Sequence, residues 1–293
     1  VAEPIDPETQ TTIRFNADYF PSQKFTARVS TSYYTQDSSP VSRGGQGTFF
    51  STALLVEPFI DLTQKDDDGD YEVYPDGFEI QNANISNILY SYNNIEYVRN
   101  SQRIVGGVDL RYQFADFLSA QFTQSMDKRW YYSSTYYPKG YKTPQPSASL
   151  NDGNYAVSQS RNNYSVTSAQ VNFNETFGYF NVGLVGKYLY EFRRDDGFNA
   201  NGQNLTTPGI YDLGITQQEQ RGMGSYVRDQ VTKNFFISAD VDYFDKIIVN
   251  GLIRWDGSSL FGIDARWQNF WRGSVAYRIT EDFTIPGFDE LKA

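Results

Sequence analysis

Residues 235–279 read FFISADVDYFDKIIVNGLIRWDGSSLFGIDARWQNFWRGSVAYRI. Apolar and polar side chains alternate along this stretch with the period of two that is typical of β-strands. The apolar positions are Phe235, Ile237, Ala239, Val241 and Tyr243, then Ile247, Val249, Ile253 and Trp255, then Trp267, Trp271, Val275, Tyr277 and Ile279. Between them lie mostly charged, amide and hydroxyl side chains. The stretch therefore predicts three consecutive strands, each with one apolar and one polar face.

The length of these strands favours a membrane protein over a soluble sandwich. Strands in soluble sheets usually run ~5–6 residues, whereas a tilted strand needs ~9–11 to cross a bilayer. The segment from Ile247 to Trp255 covers roughly 26 Å along the strand, which corresponds to ~20 Å of membrane at a tilt of ~40°. We interpret the apolar face as lipid-facing and the polar face as lining a wet lumen.

Composition excludes several classes of protein. The chain has 293 residues, of which 39% are hydrophobic and 17% aromatic, and it has no cysteine and no histidine. Zinc hydrolase chemistry and histidine-dependent catalytic triads therefore lack their residues. The net charge is −10, and residues 57–79 hold nine acidic residues and one lysine, or −8 of that total. An acidic chain of this kind is not expected to bind nucleic acid.

No motif indicates an enzyme. Asp195 and Asp196 are neighbours in a strand, so they point to opposite faces, and Glu281 and Asp282 lie in a turn-like segment. Neither pair fits the two facing carboxylates of a glycosidase. The glycines at 44, 45 and 47 lack the Lys-Ser/Thr pair of a phosphate-binding loop.

Further hairpins bring the strand count to about nine. Segments 12–20 and 24–30, 103–114 and 118–132, and 164–173 and 179–193 alternate in the same way. Short turns near 21, 115, 175 and 245 alternate with long links at roughly 36–102, 133–163, 194–230 and 257–266. Outer-membrane barrels have short periplasmic turns and long extracellular loops, and aromatic girdles such as those that flank these segments. The prediction is an all-β, transmembrane antiparallel β-barrel.

Nine strands do not close a single-chain barrel, and an open edge in lipid leaves backbone groups unsatisfied. The first residues carry no export signal, and the last ones stop where another strand would begin. We therefore expect residues 1–293 to be part of a longer barrel domain.

The stretch from Asn250 to Ser259 and the segment Phe261, Gly262, Arg266 and Trp267 carry a family resemblance. In order, they read NGLIRWDGSS, then FG, then RW, followed by SVAYRI and FDELK. The core positions are Asp256, Gly257, Ser258, Ser259, Phe261, Gly262, Arg266 and Trp267. This pattern resembles the barrel of SusC/RagA-type TonB-dependent transporters of Bacteroidota, although Trp255 replaces a residue that is more often polar. Residues 53–59 and 66–71 are similar to a family loop with a D-x-D-G-x-Y turn.

The resemblance implies a 22-stranded barrel that imports oligosaccharides or peptides across the outer membrane of a Gram-negative bacterium. A SusD-like surface lipoprotein would cover the extracellular loops, and the TonB complex would supply energy through an N-terminal region not included in residues 1–293. The resemblance covers about a third of a typical member, without its signal peptide, plug domain and closing strands. An alternative is a barrel that captures ligand or scaffolds a surface complex, with transport lost or secondary. A passive porin is a third interpretation.

Two local patterns are candidate sites. Asp66, Asp68 and Asp70 carry oxygen ligands at alternate positions, which suits calcium, but Tyr71 stands where an EF-hand loop needs glycine. A solvated turn is therefore favoured, and the prediction is a protein without a cofactor, with bound calcium as the alternative. Tyr131, Tyr132, Tyr136 and Tyr137 lie where a strand leaves the membrane, and they predict either an aromatic girdle, which is favoured, or a surface that stacks on sugars. Residues 81–95 fit a short helix, which would either dock the lid protein or fold into the lumen.

Overall fold

The structure, a computed structural model, describes residues 8–38, 56, 59–75, 87–143 and 147–279. Within these ranges, nine strands form one sheet in which each strand pairs antiparallel with the next. The strands are β1 Thr9–Ser22, β2 Phe25–Ser38, β3 Glu96–Ala115, β4 Leu118–Tyr137, β5 Asn154–Phe177, β6 Phe180–Gln203, β7 Arg221–Tyr243, β8 Ile247–Ser258 and β9 Trp267–Tyr277. The described residues also form two α-helices, α1 (Ile88–Asn94) and α2 (Ala148–Asn151), and three short 3-10 helices. Among the described residues, no helix is long and apolar enough to span a membrane.

The two faces of the sheet differ as the alternation predicts. Large apolar side chains on one face are exposed, including Phe15, Phe122, Leu184, Ile237, Ile253, Trp271 and Val275. The register places these residues in cross-strand rows, for example Ile237 opposite Ile253 and Ile253 opposite Trp271. So much exposed apolar surface is typical of a lipid contact. The sheet is therefore a wall of a transmembrane antiparallel β-barrel, and the predicted fold class is confirmed.

Tight turns join the strands at one end of the sheet. β1 and β2, β3 and β4, and β5 and β6 are each separated by two residues, and Phe244–Lys246 separate β7 from β8. The prediction of a turn at Asn174, Glu175 and Thr176 is wrong, because these residues pair with Gly183, Val182 and Asn181. The chain instead reverses at Gly178, whose φ of 62° suits glycine.

At the other end the strands run far beyond the predicted segments. β5 and β6 have 24 residues each and pair along their whole length without a register shift. The predicted link at 133–163 shortens to 138–153, and the link at 194–230 shortens to 204–220. At ~3.4 Å per residue, β6 is ~80 Å long, which gives a height of ~60 Å at a tilt of ~40°. Much of the wall therefore stands above a ~25 Å apolar band.

We call the strand ends opposite the tight turns the upper ends. Two small buried clusters cover them, one on each face of the sheet. On the lumen face, Tyr71, Val73, Tyr90 and Tyr141 form a buried cluster against Tyr137. On the outer face, Tyr136, Tyr155 and Leu205 form another, with Leu213 and Ile215 packed on it. The loops above the membrane are thus held against the strands by apolar packing.

Candidate functional site

The lumen face carries a groove of about 530 Å³ that is lined by ion pairs; we call it the paired groove. Its lining includes Arg103, Asp127, Arg129, Asn162, Tyr164, Glu191, Arg193 and Asp195. Arg103 Nε lies 2.9 Å from an oxygen of Asp127, and Arg193 Nε lies 2.7 Å from an oxygen of Asp195. Asn162 donates to the other Asp195 oxygen at 2.7 Å. Three arginines and three carboxylates leave the groove without net charge.

A second groove, of about 470 Å³, lies above the first on the same face; we call it the upper groove. It is lined by Gln36, Ser38, Arg99, Ser101, Arg129, Tyr131, Ser160 and Asn162. This lining holds two arginines and no carboxylate. Arg129 Nε donates to the buried Ser101 hydroxyl at 3.2 Å, and its guanidinium lies 5.8 Å from the centre of the Tyr131 ring. The two grooves therefore share a wall but differ in charge.

The structure separates the four candidate tyrosines, because successive residues of β4 point to opposite faces. Tyr131 lines the upper groove, on the lumen face. Tyr132 is opposite Asn100 and Gln159 on the outer face. Tyr137 packs edge-on against Tyr141, 5.2 Å between ring centres. The four rings therefore do not form one stacking surface.

Tyr136 is 3% exposed and lies under the loop at 204–220. Its hydroxyl accepts the Gly209 N–H at 2.7 Å, and the Tyr211 ring lies 4.6 Å away. Tyr211 in turn donates to the Glu96 carboxylate, which raises the pKa of Tyr211 to about 12. Tyr136 thus anchors a loop, and a ligand reaches its ring only if that loop moves.

The family-like segment is a connection between β8 and β9 that is fastened to β7. Ser259 donates its N–H to the Val231 carbonyl at 2.9 Å, and its hydroxyl accepts the Val231 N–H at 2.9 Å. Ser258 donates its N–H to the Arg266 carbonyl at 3.0 Å, and Arg266 Nε donates to the Phe261 carbonyl at 3.3 Å.

Two other motif residues fix the ends of this connection. Asp256 accepts from Arg254 Nε at 2.7 Å. Gly257 lies under the Trp267 ring, whose atoms would be 2.8 Å from a Cβ at that position. The segment resembling IPGFDELK, by contrast, lies outside the described residues. The DGSS motif therefore has a structural role, which is to connect β7, the end of β8 and the start of β9.

The acidic turn at Asp66–Asp70 is held by its own hydrogen bonds. One Asp66 oxygen accepts the N–H groups of Asp68 and Asp70 at 3.1 and 3.0 Å, and the other accepts from Lys142 Nζ at 2.8 Å. The bond from Lys142 lowers the pKa of Asp66. Asp70 accepts from Asn93 and Asn94 at 2.8 and 2.6 Å. Within the described ranges, no three His, Cys, Asp or Glu side chains are grouped to hold a metal.

This geometry favours the solvated turn, and calcium at Asp66, Asp68 and Asp70 stays a prediction. A bound ion would have to displace the Lys142 ammonium from Asp66. Addition of a chelator should therefore leave the melting temperature of the whole protein unchanged, whereas a drop that calcium reverses would establish the site.

Helix α1 covers part of the predicted segment 81–95; residues 76–86 lie outside the described ranges. Asn87 caps the helix, accepting the Leu89 N–H at 3.0 Å. Ile88 and Tyr90 are buried, and the Tyr90 hydroxyl accepts the Lys142 N–H at 2.7 Å. The helix therefore packs its apolar side into the lumen-side cluster of its own chain.

Sequence reasoning missed the upper groove. Arg129 lies on the polar face of a predicted strand, but Arg99 lies in a segment that was predicted to be a loop. Their shared groove follows from the register, in which Ser101 is opposite Tyr131 and Arg103 is opposite Arg129.

An apolar outer face, a charged inner face and short turns at one end define a transmembrane β-barrel of the outer-membrane type. Solved structures of the RagAB peptide transporter share this architecture. One aligns with a TM-score of 0.75 over 94% of this chain at 13% identity. The 'closed-closed' and 'open-open' states of the RagAB peptide importer align at 0.74 and 0.73, also at 13% identity over 94% of the chain. The chain spans 30–31% of those chains. No protein-family model and no curated protein sequence matches it.

Proposed function

We propose that residues 1–293 are part of the barrel of a SusC/RagA-type transporter that imports oligosaccharides or peptides across the bacterial outer membrane. The observation that carries the proposal is the nine-stranded wall itself. It is apolar outside, charged inside, and similar in fold to the RagAB peptide transporter over 94% of the chain. The DGSS motif adds independent support from sequence. In this proposal the complete barrel has 22 strands and lies in the outer membrane of a Gram-negative bacterium related to the Bacteroidota.

The proposed partners are a SusD-like surface lipoprotein and the TonB complex. Support for the lipoprotein comes from the upper surface, where side chains of α1, of residues 71–74 and of Tyr141 and Leu150 pack into one cluster. Preorganised loops lower the entropy cost of docking a partner. TonB would act through sequence outside residues 1–293.

The experiment is uptake by cells that carry the complete gene, its deletion, or the gene in a strain without TonB. Labelled peptide and oligosaccharide mixtures are supplied, and surface-bound and internal label are measured separately. We expect internal label to fall in both the gene deletion and the TonB deletion. Surface binding without TonB-dependent internal label would instead support the capture or scaffolding alternative, and uptake independent of TonB would support a porin.

A further inference from the structure

We infer that the upper groove binds a carboxylate group of the imported ligand, through the guanidinium groups of Arg99 and Arg129. This inference rests on the proposed import function and names the chemistry that the lumen wall recognises. The arginines on the lumen face differ in whether they are bonded to a carboxylate.

Most lumen-facing arginines around the paired groove already have a carboxylate. Arg103 is bonded to Asp127, and Arg193 is bonded to Asp195. Within the described residues, Arg99 has no ion pair, and the hydrogen bond of Arg129 goes to a neutral hydroxyl. The lining of the upper groove therefore holds two arginines and no carboxylate. Arg129 also lines the paired groove, so the two linings together hold four arginines and three carboxylates, and Arg99 adds the excess positive charge.

The carboxylates nearest to the upper groove are engaged elsewhere. Asp127 accepts two bonds from Arg103, Asp195 accepts from Asn162 and Arg193, and Glu8 accepts from Gln36. Asp37 is on the outer face, where it accepts from Asn100. Glu191, in the paired groove, accepts from the Tyr164 hydroxyl at 3.0 Å, and Gln36, the partner of Glu8, lies in the lining of the upper groove. Within the described residues, none of these carboxylates forms an ion pair with Arg99 or Arg129.

The geometry of Arg129 prepares it for such a ligand. Its Nε is held by the buried Ser101 hydroxyl and its plane is flanked by the Tyr131 ring. The two terminal nitrogens remain for a bidentate bond, which is the arrangement in which arginine binds a carboxylate most strongly. Ser160 and Asn162 in the same lining offer further polar groups.

Arg99 lies on β3, nearer the loops than Arg103, which is directly opposite Arg129. The two guanidinium groups, neither of which has an ion pair within the described residues, therefore line one groove at different heights. A ligand that descends from the extracellular loops would meet Arg99 first and Arg129 next. The carboxylate belongs either to a peptide or to an acidic sugar, and the experiment separates these sources.

The test measures retention of ligands by the immobilised full-length protein in detergent, without energised transport. One arm uses oligopeptides from a protein digest, unmodified or with their carboxyl groups amidated. The other uses oligogalacturonate, free or as its methyl ester. We expect the free acid to be retained ~10–100-fold better than its neutral form in one arm, because charged hydrogen bonds contribute ~1.5–3 kcal/mol. Equal retention of acid and neutral forms in both arms would overturn the inference.

Variants locate the effect. Arg129→Gln and Arg99→Gln should each abolish most of the preference for the acid, while retention of the neutral form stays unchanged. Arg272→Gln is the matched control, because it removes the same charge on β9, opposite Leu252, and Arg272 has no ion pair within the described residues. An equal loss in Arg272→Gln would show that net charge, not the groove, attracts the acid. The comparison of acid and neutral forms on the unmodified protein needs no variant to fold.

This test and the uptake test fail independently. Discrimination without TonB-dependent uptake would refute import and retain the carboxylate site. Uptake without discrimination between acid and neutral forms would support import and refute the carboxylate site.

Discussion

The lower and upper halves of the sheet use the same strands in different surroundings. In the lower half each strand separates lipid from lumen, so apolar residues predominate on one face and polar residues on the other, with exceptions on the lumen face such as Phe236, Ile248 and Leu252. In the upper half both faces are wet or covered by loops, and the strands carry serines and threonines on both sides, as at Ser133–Thr135. Continuous pairing holds the upper half in the sheet. The alternation of side chains thus depends on the solvent at each face, whereas the backbone hydrogen bonds define the strand.

The largest effect is expected in the upper half, at Leu205, which is fully buried under the outer-face cluster. Leu205→Ala should destabilise the packing of the loop at 204–220 by about 2–5 kcal/mol, because it leaves a cavity. Hydrogen exchange of Gly209, whose N–H is bonded to the Tyr136 hydroxyl, reports the loosening. Leu260→Ala, at an exposed leucine, is the control and should change little. Unchanged protection at Gly209 would contradict the anchoring role of this core.

In the lower half, a charge on the lipid face should cost more than the same charge on the lumen face. Ile237→Arg places a cation among lipid-facing side chains, with an expected cost of about 2–4 kcal/mol near the bilayer centre. Ser238→Arg, the next residue, points to the lumen and should be tolerated. The yield of folded, membrane-inserted barrel measures both. Equal yields would mean that the two faces are wrongly assigned.

At the boundary between the halves, Gly257→Ala should displace the Trp267 ring, since the new Cβ would lie 2.8 Å from it. The ring is exposed and can shift, so we expect a loss of about 1 kcal/mol, at the low end for overpacking. A change in tryptophan fluorescence should accompany it. Gly251→Ala, on the same face of β8 with no atom within 4 Å of the added Cβ, is the matched control. Equal losses of stability in the two variants would contradict the role of the contact between Gly257 and the Trp267 ring.

The smallest effect is the response of the acidic turn to pH. The pKa of Asp66 is lowered, mainly by the bond from Lys142, and the pKa of Lys142 is raised by the same bond. The contribution from Asp66 is present above the ordinary aspartate pKa of about 4 and is lost as pH falls through the lowered value. The contribution from Lys142 is present at neutral pH and is lost only as pH rises past its raised pKa.

We therefore expect amide protection of Asp68 and Asp70 to fall below about pH 4, relative to amides of β3 at the same pH. Lys142→Met should shift this loss to higher pH. If the variant and the original protein lose protection at the same pH, the ion pair does not control the turn.

The fold was predictable from sequence in the lower half of the strands, where one face contacts lipid and the other faces the wet lumen. The three strands of residues 235–279, the nine-strand count and the position of the long links all followed from alternation. Strand ends at Asn154 and Gln203 were not predictable, because strands with polar residues on both faces show no period. The turn at Gly178 was misplaced since Asn174, Glu175 and Thr176 have turn-like composition but pair in the ladder.

The candidate site was predictable only in part. Tyr131 was predicted to belong to an aromatic girdle, with a surface that stacks on sugars as the alternative, and the structure places it in the lining of the upper groove. Arg99 and Arg129 were not identified, since their availability to a ligand depends on which arginines have carboxylate partners. Those partners are set by cross-strand register between residues such as Arg103 and Asp127, which are 24 positions apart.

The uninterrupted pairing of β5 with β6 from Phe177 to Asn154 also has a mechanical meaning. A ladder without a register shift resists bending along its length, so a force on the loops at the upper end is carried down the wall without changing its curvature. The wall is thus a rigid frame for the loops that join its strands.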